Sequence, residues 1–494
     1  MRKSGILLHI SSLPNEYGIG SLGKEAYEFV DHLYRSKQTL WQILPLTPTG
    51  YGDSPYQSFS TFAGNPYFID LEDLNRRKWL MDEDMMQAKE ESTVIDYQKL
   101  YATRFSLLKK AYRNSHISED KQFHDFCKSE EEWLHDYAMF MAIKDRFDGK
   151  SWIEWPEELK LRNENELQVV SCQLHQEIEF YKFLQFMFWK QWEKLKSYAN
   201  KRNVDIIGDI PIYVAYDSAD TWANPNLFQL NEDLYPKAVA GVPPDGFSAD
   251  GQLWGNPLYS WKYHKETSFK WWVQRMRACL THYDIIRIDH FRGFDEYFSI
   301  PYGDENAKAG HWEKGPGYEL FEEIKNQLGK VNVIAEDLGY LTDTVKQLVK
   351  ECGYPGMKIF EFAFDSRDSS GANDYLPHNY TENSVVYTGT HDNETMMGWF
   401  HSILPEEKEA LKKYLCTQSN NDQILLFKSI AMIMQSISKW CIVPMQDWLG
   451  YDNHSRMNTP STSGDNWKWR MAENEFDEEL EEKIATLTSL YGRA

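Results

Sequence analysis

RIDHF, residues 287–291, is a strand-like run that leads into a carboxylate, and two further runs share this design: IAEDLG (334–339) and TGTHDN (388–393). Their acids are Asp289, Glu336 and Asp392. In a barrel of parallel strands the carboxyl ends of the strands meet at one face, and the chemistry takes place there. The three runs therefore predict one site at which three carboxylates converge.

Eight apolar runs alternate with helical patterns along the chain. They are GILLHI (5–10), LWQILPL (40–46), VDIIGDIPIY (204–213), DIIRIDHF (284–291), VNVIAEDL (331–338), MKIFEFAF (357–364), SVVYTGTHD (384–392) and CIVPMQD (441–447). Near-continuous apolar runs are typical of parallel strands that are covered on both faces. Because helical patterns separate most of the runs, the sequence predicts an α/β fold, a (β/α)8 TIM barrel.

Some connections between the runs are too long for simple barrel turns. Approximately residues 71–200 are acid-rich and largely helical in pattern, which predicts a helical insertion between barrel strands 2 and 3. Residues 214–260 are rich in Pro, Gly, Asn and Asp and predict an active-site loop insertion after strand 3; a second long loop, 292–316, follows strand 4. We expect one catalytic barrel over residues 1–494 that carries these insertions, with no separate C-terminal β-domain.

The composition limits the classes of partner. The net charge of −22 disfavours nucleic acid and anionic membranes, because both bind basic surfaces. No stretch approaches the ~18 consecutive apolar residues of a membrane span. The first residues, MRKSGILLHI, are interpreted as a strand and not as a cleavable leader. The six cysteines are scattered, which argues against a zinc site or a disulfide framework, and a cytoplasmic location is expected.

Asp289 has an arginine two residues before it, Arg287. Residues i and i+2 of a strand share a face, so the guanidinium and the carboxylate point the same way. A neighbouring cation lowers the pKa of a carboxyl and keeps it ionised, which suits a nucleophile. A structural Arg–Asp pair at a strand end would give the same pattern.

The residues next to Glu336 and Asp392 indicate which chemical role each acid could have. The apolar approach to Glu336 favours a raised pKa, which suits a general acid, although an acid at this position could instead cap a helix. Asp392 follows His391 and could bind sugar hydroxyls, although Asp and Asn are also common in turns. Taken together, convergent carboxylates are what cleavage of a glycosidic bond requires.

Polar segments rich in aromatic residues are candidates for a substrate surface. They are TGYGDSPYQSFSTFAGNPY (49–67), GVPPDGFSADGQLWGNPLY (241–259), which could fold over a cleft, and RMNTPSTSGDNWKWR (456–470). Aromatic residues make up 15% of the chain, and their rings can stack on the C–H faces of sugars. Ordinary surface loops and a large aromatic core would explain the same composition.

The ordered set of motifs resembles glycoside hydrolase family 77, the 4-α-glucanotransferases or amylomaltases of the α-amylase clan. The resemblance covers nearly the whole chain and rests on LPLTPTGYGDSPYQSFSTFAGNPY, GDIPIYVAYDSADTWANP, AGVPPDGFSADGQLWGNPLY, RIDHFRG, IAEDLG, YLPHN, YTGTHDN and RMNTPSTSGDNWKWR. RIDHF or THDN alone would indicate only the wider clan.

The resemblance implies a role for each site residue. Asp289 would be the nucleophile, Glu336 the general acid and then base, and Asp392 the stabiliser of the transition state. The implied substrate-binding residues are Tyr56, Asp209, Phe247, Gln252, Trp254, Arg287, His391 and Asn458, with Arg287 also holding the nucleophile charged. The implied partners are maltooligosaccharides, starch- or glycogen-type glucans and glucose. Neither a cofactor nor a calcium site is implied.

The sequence departs from the family at one position and leaves other activities open. Gly246 stands where the family usually has an aromatic residue. The loop 241–259, which could fold over the cleft, would therefore bind long glucans less tightly at this position. An α-amylase-like hydrolase differs only in that water captures the covalent intermediate. A non-catalytic glucan-binding protein is disfavoured because all three acids are present. A sugar-phosphate enzyme is disfavoured because no Gly-rich phosphate-binding turn follows the last strands.

Overall fold

A closed barrel of parallel strands forms the centre of the computed structural model, which describes residues 2–244, 248–339, 341–367, 371–462 and 464–494. The barrel strands overlap the eight apolar runs, so the predicted (β/α)8 barrel is confirmed. The strands along the chain are β1 (Lys3–Leu7), β2 (Leu40–Gln42), β3 (Asp205–Ile210), β4 (Ala238–Val242), β5 (Gln252–Pro257), β6 (Ile285–Ile288), β7 (Glu296–Pro301), β8 (His311–Lys314), β9 (Val333–Ala335), β10 (Gly356–Ile359), β11 (Ser384–Tyr387) and β12 (Trp440–Pro444). The barrel closes in the order β1-β12-β11-β10-β9-β6-β3-β2.

Backbone hydrogen bonds between neighbouring strands continue past the strand ends and fix the positions of the acids there. Every residue of β6 is buried, and its neighbour β3 places Asp209 beside Arg287. Beyond β6 the Asp289 N–H donates to the carbonyl of Ile210 at 3.0 Å, and the Glu336 N–H donates to the carbonyl of Ile288 at 3.1 Å. Both acids therefore leave the barrel at the same face.

Helices surround the barrel. They are α1 (Lys24–Arg35), α2 (Leu71–Arg76), α3 (Asp82–Ala88), α4 (Tyr97–Ser115), α5 (Lys121–Ser129), α6 (Leu134–Arg146), α7 (Glu157–Lys160), α8 (Glu164–Gln173), α9 (His175–Asn200), α10 (Ala219–Ala223), α11 (Trp261–Glu266), α12 (Lys270–His282), α13 (Tyr318–Leu328), α14 (Asp343–Cys352), α15 (Met396–Ser402), α16 (Pro405–Tyr414), α17 (Asp422–Gln435), α18 (Met445–Leu449) and α19 (Glu478–Leu490). Helix α14 shows how local sequence sets the ends: the Thr342 hydroxyl accepts a hydrogen bond from the Val345 N–H, and Gly353 ends the helix at a φ of 70°.

Residues 71–200 contain the helices α2–α9. The last of these, α9, packs against both α1 and β3 and buries a long apolar face that includes Phe188 and Trp192. It therefore serves as the barrel helix before β3 as well as the base on which the preceding helices pack.

The long connections after the third and fourth barrel strands form one antiparallel sheet, in the order β5-β4-β7-β8. The sequence predicted both segments as loops, and the sheet corrects that prediction. Strand β4 pairs with β7, which is more than fifty residues further along the chain, and a small apolar core of Val239, Phe298, Ile300 and Ala307 supports the pairing. A pattern read along one segment does not reveal a partner at that distance.

The last described part of the chain packs back onto the barrel. After β12 no further strand is found in residues 445–462 and 464–494. The Glu481 carboxylate of α19 binds the Arg35 guanidinium of α1 at 2.6 Å. All six cysteines have free thiols. No helix in the described ranges has the length and apolarity needed to cross a bilayer.

Candidate active site

A cleft of about 2220 Å³ opens at the carboxyl ends of the barrel strands. The three acids predicted from the sequence, Asp289, Glu336 and Asp392, all line it. They follow β6, β9 and β11 respectively. The structure therefore brings together three residues that are spread over more than one hundred positions of the sequence.

Arg287 joins two carboxylates across neighbouring strands. Its Nη1 atom donates to both oxygens of Asp209, at 2.8 and 2.7 Å, and lies 3.0 Å from Oδ1 of Asp289. The Arg287 side chain is 2% exposed, whereas that of Asp289 is 28% exposed. The buried Arg287 guanidinium thus interacts directly with the Asp289 carboxylate, which faces the cleft.

Burial sets the direction of the pKa shifts of the two central acids. It raises the pKa of Asp289 well above its ordinary value, although the Arg287 guanidinium opposes the rise. It also raises the pKa of Glu336, again against Arg287. The sequence predicted a lowered pKa for Asp289, because it revealed the neighbouring cation but not the burial. Two neighbouring carboxyls in a cleft that repel each other favour a state in which together they bind one proton.

Glu336 is held by backbone N–H groups. Its Oε2 atom accepts a hydrogen bond from the His290 N–H at 2.5 Å, and its Oε1 atom accepts one from the Leu338 N–H at 3.2 Å. His290 adopts a left-handed backbone conformation, with a φ of 50°. This rare conformation for a residue other than glycine turns the His290 N–H toward Glu336.

Asp392 is fixed by two side chains from the C-terminal segment. Asn458 donates from Nδ2 to Oδ1 of Asp392 at 2.6 Å, and Arg456 donates to the Asp392 carbonyl at 2.6 Å. His391 lies on the other side, with its Nε2 atom 3.3 Å from Oδ2 of Asp392. Burial lowers the pKa of His391, which favours the neutral imidazole.

Tyr56 connects the walls of the cleft. Its ring stacks on His391 with centroids 5.1 Å apart and an interplanar angle of 15°. Its hydroxyl donates to Oδ2 of Asp209 at 2.9 Å. Asp209 was expected to bind sugar, but its side chain has no exposed surface and both oxygens are occupied by Arg287 and Tyr56. Asp209 therefore acts on the site only through those two neighbours.

The antiparallel sheet supplies another wall of the cleft. Gln252 and Trp254 lie on β5 and line the cleft, and the indole Nε1 of Trp254 donates to Oε1 of Gln252 at 3.0 Å. The Trp254 ring also meets His290 edge-on at 4.8 Å. Phe247 and Gly246 lie outside the described residues.

Sequence reasoning missed three parts of this site. Arg456 belongs to a segment that was predicted as a candidate substrate surface, but nothing local signals that its guanidinium reaches Asp392. The left-handed His290 lies inside an apparently regular strand motif. Glu361 lines the cleft after β10, but its run, MKIFEFAF, was interpreted only as a strand.

Fold and site together place the chain among barrel enzymes that break and form glycosidic bonds. A family model described as 4-alpha-glucanotransferase matches residues 8–475. The chain is 49% identical to a 4-alpha-glucanotransferase of Clostridium butyricum over 98% of this chain and 100% of that one. It is 45% identical to a 4-alpha-glucanotransferase of Streptococcus pneumoniae over 100% of this chain and 97% of that one. The chain belongs to the 4-alpha-glucanotransferase family, glycoside hydrolase family 77.

A solved structure agrees with these matches. The amylomaltase from Streptococcus agalactiae in complex with acarbose superposes with a TM-score of 0.96 at 42% identity, and each chain is covered completely. The chain is an enzyme that transfers a segment of a 1,4-α-D-glucan to the 4-hydroxyl of glucose or of another 1,4-α-glucan by a retaining double displacement. These findings set aside the hydrolase and the non-catalytic binding protein.

Proposed function

We propose that Asp289 is the nucleophile, Glu336 the general acid and base, and Asp392 the residue that stabilises the transition state. The observation that carries this assignment is the contact of Asp289 with Arg287, at 3.0 Å, in a cleft that the other two acids also line. A fixed cation beside Asp289 favours negative charge on this carboxylate, which leaves the shared proton on Glu336.

In the first step an Asp289 oxygen attacks the anomeric carbon while Glu336 gives its proton to the leaving O4 atom. The bond between the anomeric carbon and O4 breaks, and a covalent β-glucosyl ester forms. In the second step the Glu336 carboxylate takes the proton from an incoming 4-hydroxyl. That oxygen attacks the anomeric carbon and releases Asp289, so the two inversions retain the α configuration.

Asp392 is suited to hold sugar hydroxyls as the ring distorts toward the transition state. Its Oδ1 atom is already held by Asn458 and its Oδ2 atom lies near His391. The charge is therefore oriented before the substrate arrives, which is the condition under which electrostatic stabilisation is most effective.

The substrates in this proposal are maltooligosaccharides and longer starch- or glycogen-type glucans, with glucose as the smallest acceptor. The cleft supports this range because its volume is about 2220 Å³ and aromatic rings line its walls, among them Tyr56, Trp254 and Trp467. The S. agalactiae amylomaltase was solved with acarbose, which supports the same ligand class here. We also propose that the 214–260 segment excludes water from the intermediate, and that the chain acts in the cytoplasm.

The test is incubation of the purified chain with maltotriose, with products separated by chromatography. A ladder of longer oligosaccharides together with glucose is expected. Asp289→Asn and Glu336→Gln should each abolish the ladder while the melting temperature stays close to that of the parent. Glu322→Gln is a matched control, because Glu322 is exposed on α13 away from the cleft lining. Ladder formation at the parent rate by either site variant would overturn the roles.

A further inference from the structure

Glu361 is a carboxyl in the cleft wall that the roles above do not use. It lies in the 3-10 turn Phe360–Phe364 directly after β10. Strand β10 stands between β9 and β11, the strands that lead to Glu336 and Asp392. The Glu361 residue is 7% exposed, and its Oε1 atom is buried without a hydrogen-bond partner among the described residues. A buried acid at this place needs a physical explanation.

Close contacts connect Glu361 to the turn that carries Asp392. The Glu361 N–H donates to the Thr388 carbonyl at 3.2 Å, and the Asn393 side chain lies beside the Glu361 carboxyl. A Cβ atom at Gly389 would lie 2.8 Å from Oε1 of Glu361, so a larger residue there would displace the carboxyl. The carboxyl is therefore packed directly against the turn.

Hydrogen bonds through Thr390 connect Asn393 to Asp392. Its Oδ1 atom accepts hydrogen bonds from both the N–H and the hydroxyl of Thr390, each at 2.9 Å. The Thr390 hydroxyl in turn accepts one from the Asp392 N–H at 3.3 Å. The orientation of Asp392 thus depends on the placement of the Asn393 side chain.

The charged groups around Glu361 disfavour a negative charge on it. Two carboxyls, Asp447 and Glu394, and one cation, Arg456, lie close enough to Glu361 to act on its charge. Asp447 is 1% exposed and accepts hydrogen bonds from the Thr388 hydroxyl at 2.5 Å and the Met396 N–H at 2.8 Å. Burial, followed by the repulsion of Asp447 and Glu394, raises the pKa of Glu361 well above its ordinary value. Burial also raises the pKa of Asp447, to about 6.

We propose that Glu361 is a positioning residue that acts as a neutral carboxylic acid and, through Asn393, holds the turn that presents Asp392 to the substrate. This inference rests on the role proposed for Asp392. It assigns Glu361 no contact with the reacting atoms. Its neutral state makes it equivalent in shape and charge to a glutamine, so the two side chains are interchangeable here.

The test compares Glu361→Gln with Glu361→Leu in the maltotriose assay. Glu361→Gln should keep kcat within about twofold of the parent, and Glu361→Leu should lower kcat about tenfold or more with a smaller change in KM, because a buried polar partner of Asn393 is lost. If the leucine variant does not fold, Gly389→Ala displaces the same carboxyl and should cause the same loss. Parent-like kcat in both disruptive variants, or a tenfold loss in Glu361→Gln, would overturn the proposal.

A second readout reports the charge of Glu361 without relying on activity. A group whose pKa is raised by folding loses its stabilising contribution as pH rises above the unfolded value of 4.5. Glutamine does not titrate, so the melting temperature of Glu361→Gln should rise relative to the parent between about pH 5 and about pH 8. A relative fall over that interval would show an ionised, stabilised Glu361 and contradict the proposal.

Asp392→Asn separates this inference from the roles on which it rests. Full activity of Asp392→Asn would refute the role of Asp392 and with it the purpose assigned to Glu361. The melting-temperature series would still decide the charge of Glu361.

Discussion

Asp209 and Asp289 share a single nitrogen atom, Nη1 of Arg287, from neighbouring strands of the barrel. Asp209 is fully buried and takes two hydrogen bonds from that nitrogen, whereas Asp289 faces the cleft and takes the third contact. The charge on Asp289 therefore depends on a residue whose side chain has no exposed surface. Variants of the buried partner should alter the chemistry at the cleft.

Asp209→Asn should shift the acidic limb of the kcat/KM profile to lower pH. The Asp209 charge contributes to the raised pKa of Asp289, so its removal lets Asp289 ionise at lower pH. The melting temperature should fall, since loss of one partner of a buried ion pair costs about 3–5 kcal/mol. The pH profile with maltotriose measures the shift. Tyr56→Phe, which removes one hydrogen bond to Asp209 but no charge, is the control; an acidic limb that does not move in Asp209→Asn contradicts this coupling.

Glu336→Gln should discriminate between donors by their leaving groups. Breaking an oligosaccharide needs a proton on the departing oxygen, so this variant should lose roughly 10²–10⁴-fold in kcat. A maltosyl fluoride needs no such proton and should still glycosylate the enzyme. In the pH–rate profile of the parent, the alkaline limb should disappear when the donor is the fluoride. That limb reports the raised pKa of Glu336. Equal losses with both donors would count against Glu336 as the acid.

Asn458→Ala should reduce turnover much more than it reduces stability. The Asn458 amide donates to the Asp392 carboxylate at 2.6 Å, and a hydrogen bond to a charged group contributes about 1.5–3 kcal/mol, which corresponds to roughly tenfold to a hundredfold in rate. Steady-state kinetics and thermal melting measure the two effects. Asn466→Ala is a comparison in the same segment, because the Asn466 side chain forms its hydrogen bonds with Thr459 and Thr462 among the described residues. An identical loss in both variants would mean that the segment is disturbed as a whole.

Trp254→Ala should change the distribution of product lengths. The Trp254 ring lines the cleft and is braced by Gln252 and His290, so its loss removes a stacking surface but little of the barrel core. Chromatography of the products from maltotriose gives the distribution. Trp254→Phe retains a ring and should lie between the parent and the alanine variant. If the alanine variant gives the same products as the parent, the proposed role of Trp254 in substrate binding is contradicted.

The barrel was predictable because each strand carries its own signal. Strand β6, which lies within the run DIIRIDHF, is buried on both faces, so its apolar character is visible without knowledge of its neighbours. The small sheet was not predictable in this way, because β4 and β7 depend on pairing between distant segments.

The site shows the same division between local and distant information. The acids Asp289, Glu336 and Asp392 follow recognisable runs, and their convergence follows from the barrel alone. The burial that reverses the expected pKa shift of Asp289 comes from many segments at once. The contact between Arg456 and Asp392 joins residues sixty-four positions apart. Such relations depend on three-dimensional packing and leave no local pattern in the sequence.

The most direct test of the account is to trap the covalent intermediate in Glu336→Gln with a maltosyl fluoride. The variant can form the glucosyl ester but lacks the base that activates the acceptor, so the ester should accumulate. Peptide mapping by mass spectrometry should then find the sugar on the peptide that contains Asp289. A sugar ester on Asp392 or Glu361, or no adduct while fluoride is released in a burst, would contradict the assignment of the nucleophile.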